Sequence, residues 1–319
     1  MKIIQTNING NNYELLDINS LSIGEVLSFD IFIKRDNNYV IIIEEGTLLS
    51  EKLYKMLQTK DYLYISKKHQ NKKAPTYRSL FRSIKQDKHN FKNSLELLYE
   101  INNNLFRKFM ASKEDVLDIN CAQEIVNNAL YLIQENTNYI KNAMQYFSSD
   151  YSLAYHSLHV SLYAIHLGHF LHLETKELSQ LGLAGLLHDV GTKKINDSIK
   201  NKDSKLNFME LEAMHQHTKY SRDIVQKNRI LNPYILDAIL HHHESHDGSG
   251  YPNRLIGRNI KTFASILSIS DTFDELTNDK AYRKKHSSFE ALTMMMKDET
   301  MLHRFHPKYF KVFLQSFVK

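Results

Sequence analysis

The chain has 319 residues, of which 42% are hydrophobic and 24% charged, a globular composition that excludes a disordered polypeptide and allows two folding units. Its formal net charge is +5. The single cysteine, Cys121, excludes an internal disulfide framework, and we expect it to be a packing residue. The N-terminus lacks the pattern of a signal peptide and no segment is long enough to span a membrane, so we expect a cytoplasmic protein.

Residues 1–70 are predicted to form a small α+β domain. The segments 29–34 and 39–45 are rich in β-branched residues and flank a polar turn, which is typical of a hairpin. A helix with Ser50 as its N-cap is predicted next, followed by a strand in residues 62–66. This domain shows no obvious catalytic residues, so we expect it to regulate the rest of the chain or to bind a protein partner.

Residues 71–147 are predicted to form a basic linker followed by connecting helices. The lysines and arginines of residues 67–92 lack a nucleic-acid-binding motif, so a solvated linker is favoured over specific nucleic-acid binding. Segments 94–110 and 124–134 have helical periodicity and contain neither glycine nor proline. Homodimer formation through residues 77–147 stays open.

From residue 148 onward the chain is predicted to be helical and is rich in histidine. His156 lies on the apolar stripe of the helix predicted in residues 151–170 and therefore faces the interior. Three further histidines lie off this stripe, so we expect them to be solvated or otherwise satisfied rather than to bind a metal. They are His159, His166 and His169.

The pair His188 and Asp189 follows a segment that is apolar on all sides, which predicts a buried helix that ends at Gly191. Burying the Asp189 carboxylate without a partner would cost several kcal/mol. A divalent cation bound by both side chains would compensate for that cost. An N-cap or a buried salt bridge is the alternative for the pair taken alone.

Helical faces also select among the remaining histidines. His217 shares a face with apolar positions, whereas His215 lies on the polar face with Thr218. Residues 241–243 are three consecutive histidines, and because neighbours on a helix diverge by about 100°, at most two of the rings can converge. We select His242 and His243.

Asp271 completes the set because it lies in an apolar helical stretch and points at a core. The selected donors are all nitrogen or oxygen, which suits iron, manganese or zinc, and the lack of thiolates argues against a closed structural zinc site. The predicted metal ligands are His156, His188, Asp189, His217, His242, His243 and Asp271.

The order of these residues, together with HHESHDGSGYP at 242–252, resembles the HD-GYP group of HD-domain phosphohydrolases over residues 150–319. The resemblance implies a phosphodiesterase domain at 148–319 with two divalent ions, iron or manganese, that hydrolyses cyclic di-GMP to pGpG or GMP through a metal-bridging hydroxide. It also implies that Asp189 bridges two sites. One site would hold His156, His188 and Asp271, and the other His217, His242 and His243.

The resemblance implies further roles. Asp189 and His188 would be catalytic, and the substrate would contact Gly250, Tyr251, Lys280 and Arg283. Thr192 stands where the family carries a lysine, and we predict that Lys193, one position later, supplies this charge. Ser152 replaces the glutamate that some members use for a third metal, so we expect two ions.

Two other functions stay open. The substitution at Thr192 favours a catalytically weak or inactive receptor for cyclic di-GMP, or an interaction module. The common HD pair is also compatible with a phosphohydrolase that acts on another nucleotide. The fold class predicted for all of these functions is the same: a mainly α chain with an all-helical HD-type domain after the α+β domain and its connecting helices.

Overall fold

In the computed structural model the chain divides into two compact units, Met1–Asn104 and Leu105–Lys319. Most of the predicted basic linker lies outside the described residues, and the predicted functional boundaries at 70 and 147 stay a prediction. The structure describes residues 13–21, 23–35, 38–60, 62–66, 80–81, 84, 91–135, 140, 152–200, 202, 204–278 and 284–317.

The first unit contains a four-stranded antiparallel sheet in the order β1, β4, β2, β3. Its strands are β1 (Tyr13–Leu15), β2 (Ile31–Arg35), β3 (Asn38–Ile43) and β4 (Tyr64–Ser66). Ile33 lies opposite Val40, so the predicted hairpin is confirmed. The strand predicted in residues 62–66 is also present, whereas β1 was missed because three residues are too few to show a period of two.

Helix α1 (Glu51–Gln58) packs its apolar side into the core of the first unit. The Ser50 hydroxyl accepts a hydrogen bond of 3.2 Å from the Leu53 amide, which confirms Ser50 as the N-cap. Leu57 is fully buried among Leu27, Ile31 and their neighbours. This small core supports the sheet. Among the described residues of this unit, no group of His, Cys, Asp or Glu side chains could hold a metal ion.

The second unit is helical in its described part, so the predicted mainly α fold with an all-helical C-terminal domain is confirmed. Helix α2 contains the boundary between the units. Two 3₁₀ turns, Val190–Lys194 and Gly257–Asn259, lie between the helices. The helices are α2 (Phe91–Ala111), α3 (Ile119–Glu135), α4 (Leu153–Phe170), α5 (Thr175–Leu187), α6 (Asp197–Lys200), α7 (Phe208–His215), α8 (His217–Lys227), α9 (Pro233–His241), α10 (Thr262–Thr277), α11 (Ser288–Lys297), α12 (Glu299–Leu302) and α13 (Pro307–Ser316).

Helix α4 is the centre of this unit, because α3, α5, α10 and α13 all pack against it. It is therefore buried on nearly every side, and the predicted division into an apolar stripe and a solvated face is wrong. His159 and His166 lie in the interior as a consequence, and only His169 of the three is exposed. None of the described helices is both long enough and apolar enough to cross a membrane.

Candidate metal centre

The seven predicted metal ligands come from five segments that are distant in sequence, and the structure brings all seven together. Most of them lie at helix ends, where neighbouring helices converge on the same point. His156 is in the first turn of α4, and His188 and Asp189 directly follow α5. His217 begins α8, His242 and His243 directly follow α9, and Asp271 lies within α10.

The first group of donors consists of His156, His188 and Asp271. The Nε2 atom of His156 lies 3.1 Å from Nε2 of His188 and 3.3 Å from Oδ1 of Asp271. All three side chains are buried, because α5 and α10 cover the first turn of α4.

The second group consists of His217, His242, His243 and Asp189. Nε2 of His217 lies 3.2 Å from Oδ1 of Asp189 and 3.5 Å from Nε2 of His242. His243 presents Nδ1 to the centre, and this atom lies 3.7 Å from Oδ2 of Asp271. The Asp271 carboxylate thus reaches both groups.

The Asp189 carboxylate lies between the two groups. Its Oδ2 atom is 3.7 Å from Nε2 of both His156 and His188, whereas its Oδ1 atom faces His217 and His242. Oδ1 is shielded from solvent and accepts no hydrogen bond from the residues that the structure describes. A buried carboxylate oxygen in this situation requires a cation, so the geometry suits a carboxylate shared by two ions.

The tautomers of the rings also fit metal ions. Nδ1 of His188, His217 and His242 lies 2.7 to 2.8 Å from the backbone oxygens of Gly185, Met214 and Ile239, which can only accept a hydrogen bond. In the neutral rings the Nε2 lone pairs therefore point into the centre. Metal–nitrogen bonds of about 2.1 Å would place neighbouring donor atoms about 3.0 to 3.4 Å apart, close to the separations observed.

The electrostatics of the centre support the same reading. Burial lowers the pKa of His243 to about 3 and holds the pKa of His242 well below its usual range, so both rings are neutral ligands at physiological pH. Burial also disfavours the charged form of His156, but Asp271 and Asp274 outweigh it and raise the pKa of His156. A proton or a metal ion is therefore needed between His156 and His188.

Asp274 is a buried residue beside the candidate centre that was not predicted from the sequence. Its Oδ2 atom accepts from Nδ1 of His156 at 2.8 Å, and its Oδ1 atom accepts from Nδ1 of His159 at 2.9 Å and from the Asn278 amide at 2.8 Å. His159 is thus held by a hydrogen bond at Nδ1, which agrees with the predicted alternative of a satisfied histidine. The signal available in the sequence was a second carboxylate three residues after Asp271 on a buried helix.

Lys193 does not reach the candidate centre. Its ammonium donates to the backbone oxygen of Phe109 at 2.8 Å and to that of Glu114 at 3.2 Å, and it lies over the Phe109 ring. The predicted catalytic role of Lys193 is therefore not supported by its contacts, because the 3₁₀ turn directs this side chain towards the end of α2. The Thr192 hydroxyl donates to the backbone oxygen of Asp189 at 2.7 Å and holds that turn in shape.

The loop after His243 folds back onto the centre. The Glu244 carboxylate accepts from the amides of Asn253 at 2.6 Å and Leu255 at 2.8 Å. A Cβ atom at Gly250 would overlap the backbone of residues 243–245, so this glycine permits close packing of the loop, and its substrate contact stays a prediction. Tyr251 lies beside the histidines, whereas the predicted substrate ligands Lys280 and Arg283 lie outside the described residues.

Two further predictions, of a helix end and of a polar helical face, require correction. Helix α5 ends at Leu187, and Gly191 instead allows close packing on α8, because a Cβ atom there would overlap the backbone of His217 and Ser221. Thr218 is fully buried, since its hydroxyl is satisfied by the backbone oxygen of His215. His215, which was predicted not to be a ligand, is not among the donors and stacks on the Tyr251 ring.

The fold and the donor set together define a helical domain with a candidate binuclear metal centre. Residues 120–307 match the model of the HD domain family. This match covers more than half of the chain and includes all seven donors. The chain belongs to the HD domain family and, within it, to the HD-GYP group.

Several bacterial proteins are similar to this chain. Cyclic di-GMP phosphodiesterase PA4108 of Pseudomonas aeruginosa is 30% identical over 200 residues, which cover 63% of this chain and 48% of that protein. The 3'3'-cGAMP-specific phosphodiesterase 2 of Vibrio cholerae is 34% identical over 161 residues, which cover 50% of this chain and 30% of that protein. The chain thus spans less than half the length of these curated relatives.

The structure is also similar to that of Bd1817, an HDG"Y"P protein from Bdellovibrio bacteriovorus. The TM-score is 0.63 at 17% sequence identity, and the alignment covers 97% of this chain and 100% of the other. At this identity the likeness shows a common fold.

Proposed function

We propose that this chain is a metal-dependent phosphodiesterase that hydrolyses cyclic di-GMP to pGpG, GMP or both. The observation that carries the proposal is the position of the Asp189 carboxylate, with one oxygen facing each group of histidines. A carboxylate shared between two groups of imidazoles suits two divalent ions, for which iron and manganese are our candidates.

The side chains of the protein supply orientation rather than a nucleophile. Burial raises the pKa of Cys121 to about 12, so this thiol cannot act as a thiolate. Asp274 fixes the ring of His156, and the backbone oxygens fix three other rings, so the donor atoms are preorganised. Divalent ions bound there would supply the chemistry, by lowering the pKa of water and neutralising charge on the phosphate.

The choice of cyclic di-GMP rests on relatives that are cyclic di-GMP phosphodiesterases, such as PA4108 and RpfG of Xanthomonas campestris, the latter 34% identical over 127 residues. The Vibrio cholerae relative that is specific for 3'3'-cGAMP makes this nucleotide the second candidate substrate. Both are cyclic dinucleotides with two phosphodiester bonds, so the same centre is suited to either.

A catalytically weak receptor for cyclic di-GMP is the second candidate function. It is favoured by the observation that Thr192 carries no charge and that the Lys193 ammonium binds a backbone oxygen of α2, so it does not direct a cation at the centre. Binding and turnover therefore need to be measured on the same preparation.

The test is turnover of cyclic di-GMP and 3'3'-cGAMP by protein loaded with manganese or, under anaerobic conditions, with iron. Products are resolved by chromatography, and the metal content is measured on the same sample. We expect linear product in the wild-type protein and none in the Asp189→Ala variant. Tight nucleotide binding without product, by protein that holds two metals, would refute the enzyme and establish the receptor.

A further inference from the structure

The ring of His243 is held differently from the other candidate ligands. His188, His217 and His242 are each fixed by a backbone oxygen in the preceding turn, and His156 is fixed by Asp274. The side chain of His243 makes no hydrogen bond to any residue in the described part of the chain. Something other than hydrogen bonding must therefore set the direction of its Nδ1 atom.

Tyr251 contacts His243 through both its backbone and its ring. The Tyr251 amide donates to the backbone oxygen of His243 at 3.1 Å. The two ring centroids lie 4.8 Å apart, with an angle of 30° between the ring planes. The tight packing of Gly250 on residues 243–245 brings the tyrosine to this position.

His215 supports Tyr251 in turn. The ring centroids of His215 and Tyr251 lie 3.7 Å apart and the planes differ by 15°, which is a stacked arrangement. His215 and His243 make no ring contact with each other among the described residues, so Tyr251 is the link between them. His215 ends α7, two residues before the candidate ligand His217.

We propose that Tyr251 and His215 are positioning residues, in which the Tyr251 ring, stacked on His215, packs against the His243 ring and holds it in the orientation that its metal requires. The inference rests on the metal centre of the proposed function and adds a role for two residues that bind no metal themselves. It differs from what the sequence predicts for both residues. Tyr251 was expected to contact substrate, and His215 was expected only to lie on the polar face of its helix.

The proposal separates the tyrosine ring from the tyrosine hydroxyl. Tyr251→Phe keeps the stack and should hold metal within about twofold of the wild-type protein. Tyr251→Leu removes the flat ring while retaining bulk. It should weaken the binding of the metal held by the second group of donors by about tenfold to a hundredfold, the range for loss of an orienting partner. His215→Ala should weaken the same metal by about threefold to tenfold, which is the range for one aromatic pair.

The experiment is a titration of metal-free protein with Mn²⁺, in which the free ion is followed by electron paramagnetic resonance. It is carried out on the wild-type protein, Tyr251→Phe, Tyr251→Leu, His215→Ala and His215→Phe, without any nucleotide. We expect two sites in the wild-type protein, a selective loss at one of them in Tyr251→Leu and His215→Ala, and recovery in His215→Phe. His169→Ala is the matched control, since His169 is an exposed histidine.

Circular dichroism and thermal unfolding of each metal-free variant identify any that fail to fold, and Tyr251→Phe and His215→Phe retain the packing if the others do not. Wild-type affinity in Tyr251→Leu, or an equal loss in Tyr251→Phe and Tyr251→Leu, would overturn the proposal. Two metals in the wild-type protein without nucleotide turnover would instead refute the enzyme alone, so the two failures are distinguishable.

Discussion

The substitution Asp274→Asn tests how strongly the interior of the domain controls its metal centre. The Asp274 carboxylate is fully buried and accepts three hydrogen bonds, from His156, His159 and Asn278. An asparagine keeps two of the three if its oxygen faces His159 and Asn278. Its NH₂ group then faces Nδ1 of His156, where a donor meets a donor.

His156 can resolve this conflict by moving its proton from Nδ1 to Nε2. Nε2 then loses the lone pair that points at His188 and Asp271, so it can no longer bind a metal. We expect the metal held by the first group of donors to bind about tenfold to a hundredfold more weakly, which corresponds to about 1.4 to 2.8 kcal/mol. Because the hydrogen bonds of Asp274 would no longer be made by a charged group, the free energy of unfolding should also fall by about 2 kcal/mol.

The assay is Mn²⁺ titration of metal-free protein together with urea unfolding. Asp237→Asn is the matched control, because Asp237 accepts from Nδ1 of His241 at 3.1 Å, and His241 is not among the candidate ligands. The control should keep both metals. If Asp274→Asn bound the first metal with unchanged affinity, the argument from the tautomer of His156 would be wrong.

Three other substitutions have distinct expected results. Asp189→Ala should remove both metals and all turnover, because the Asp189 carboxylate faces both groups of donors. Metal analysis and a product assay measure this, and a variant that keeps two metals and activity would contradict it. Lys193→Met should lower the free energy of unfolding by about 2 kcal/mol, since the Lys193 ammonium caps α2, and should leave Mn²⁺ binding and turnover intact. Normal stability with lost turnover would instead support a catalytic role for Lys193. Burial raises the pKa of Glu100 to about 7, so the folded state holds this proton more tightly than the unfolded state, and its contribution to stability is lost as the pH rises from about 4.5 to 7. Glu100→Gln should therefore lose less stability than the wild-type protein between pH 5 and pH 8 in urea unfolding, and an identical pH dependence in both proteins would refute this.

The sequence by itself determined the fold class, the family and the identity of the seven donors that converge. Apolar periodicity marked the buried helices, and polar residues that can bind metal stood out against them at Asp189 and Asp271. The choice of His217 over His215 came from the face of the predicted helix, and the angle between successive residues on a helix limited the three consecutive histidines to two ligands. These signals are local, so they can be read from a few turns of chain.

The tertiary structure alone decided what each polar side chain contacts outside the donor set. Asp274 meets His156 only because α10 packs against α4, although the two residues are 118 positions apart. Lys193 points at α2 and not at the centre because a 3₁₀ turn sets its direction. His215 meets Tyr251 because the loop after His243 folds back onto the centre. The physical reason is common to all three: helical periodicity fixes which face of its own helix a residue occupies, whereas its partner depends on how distant segments pack.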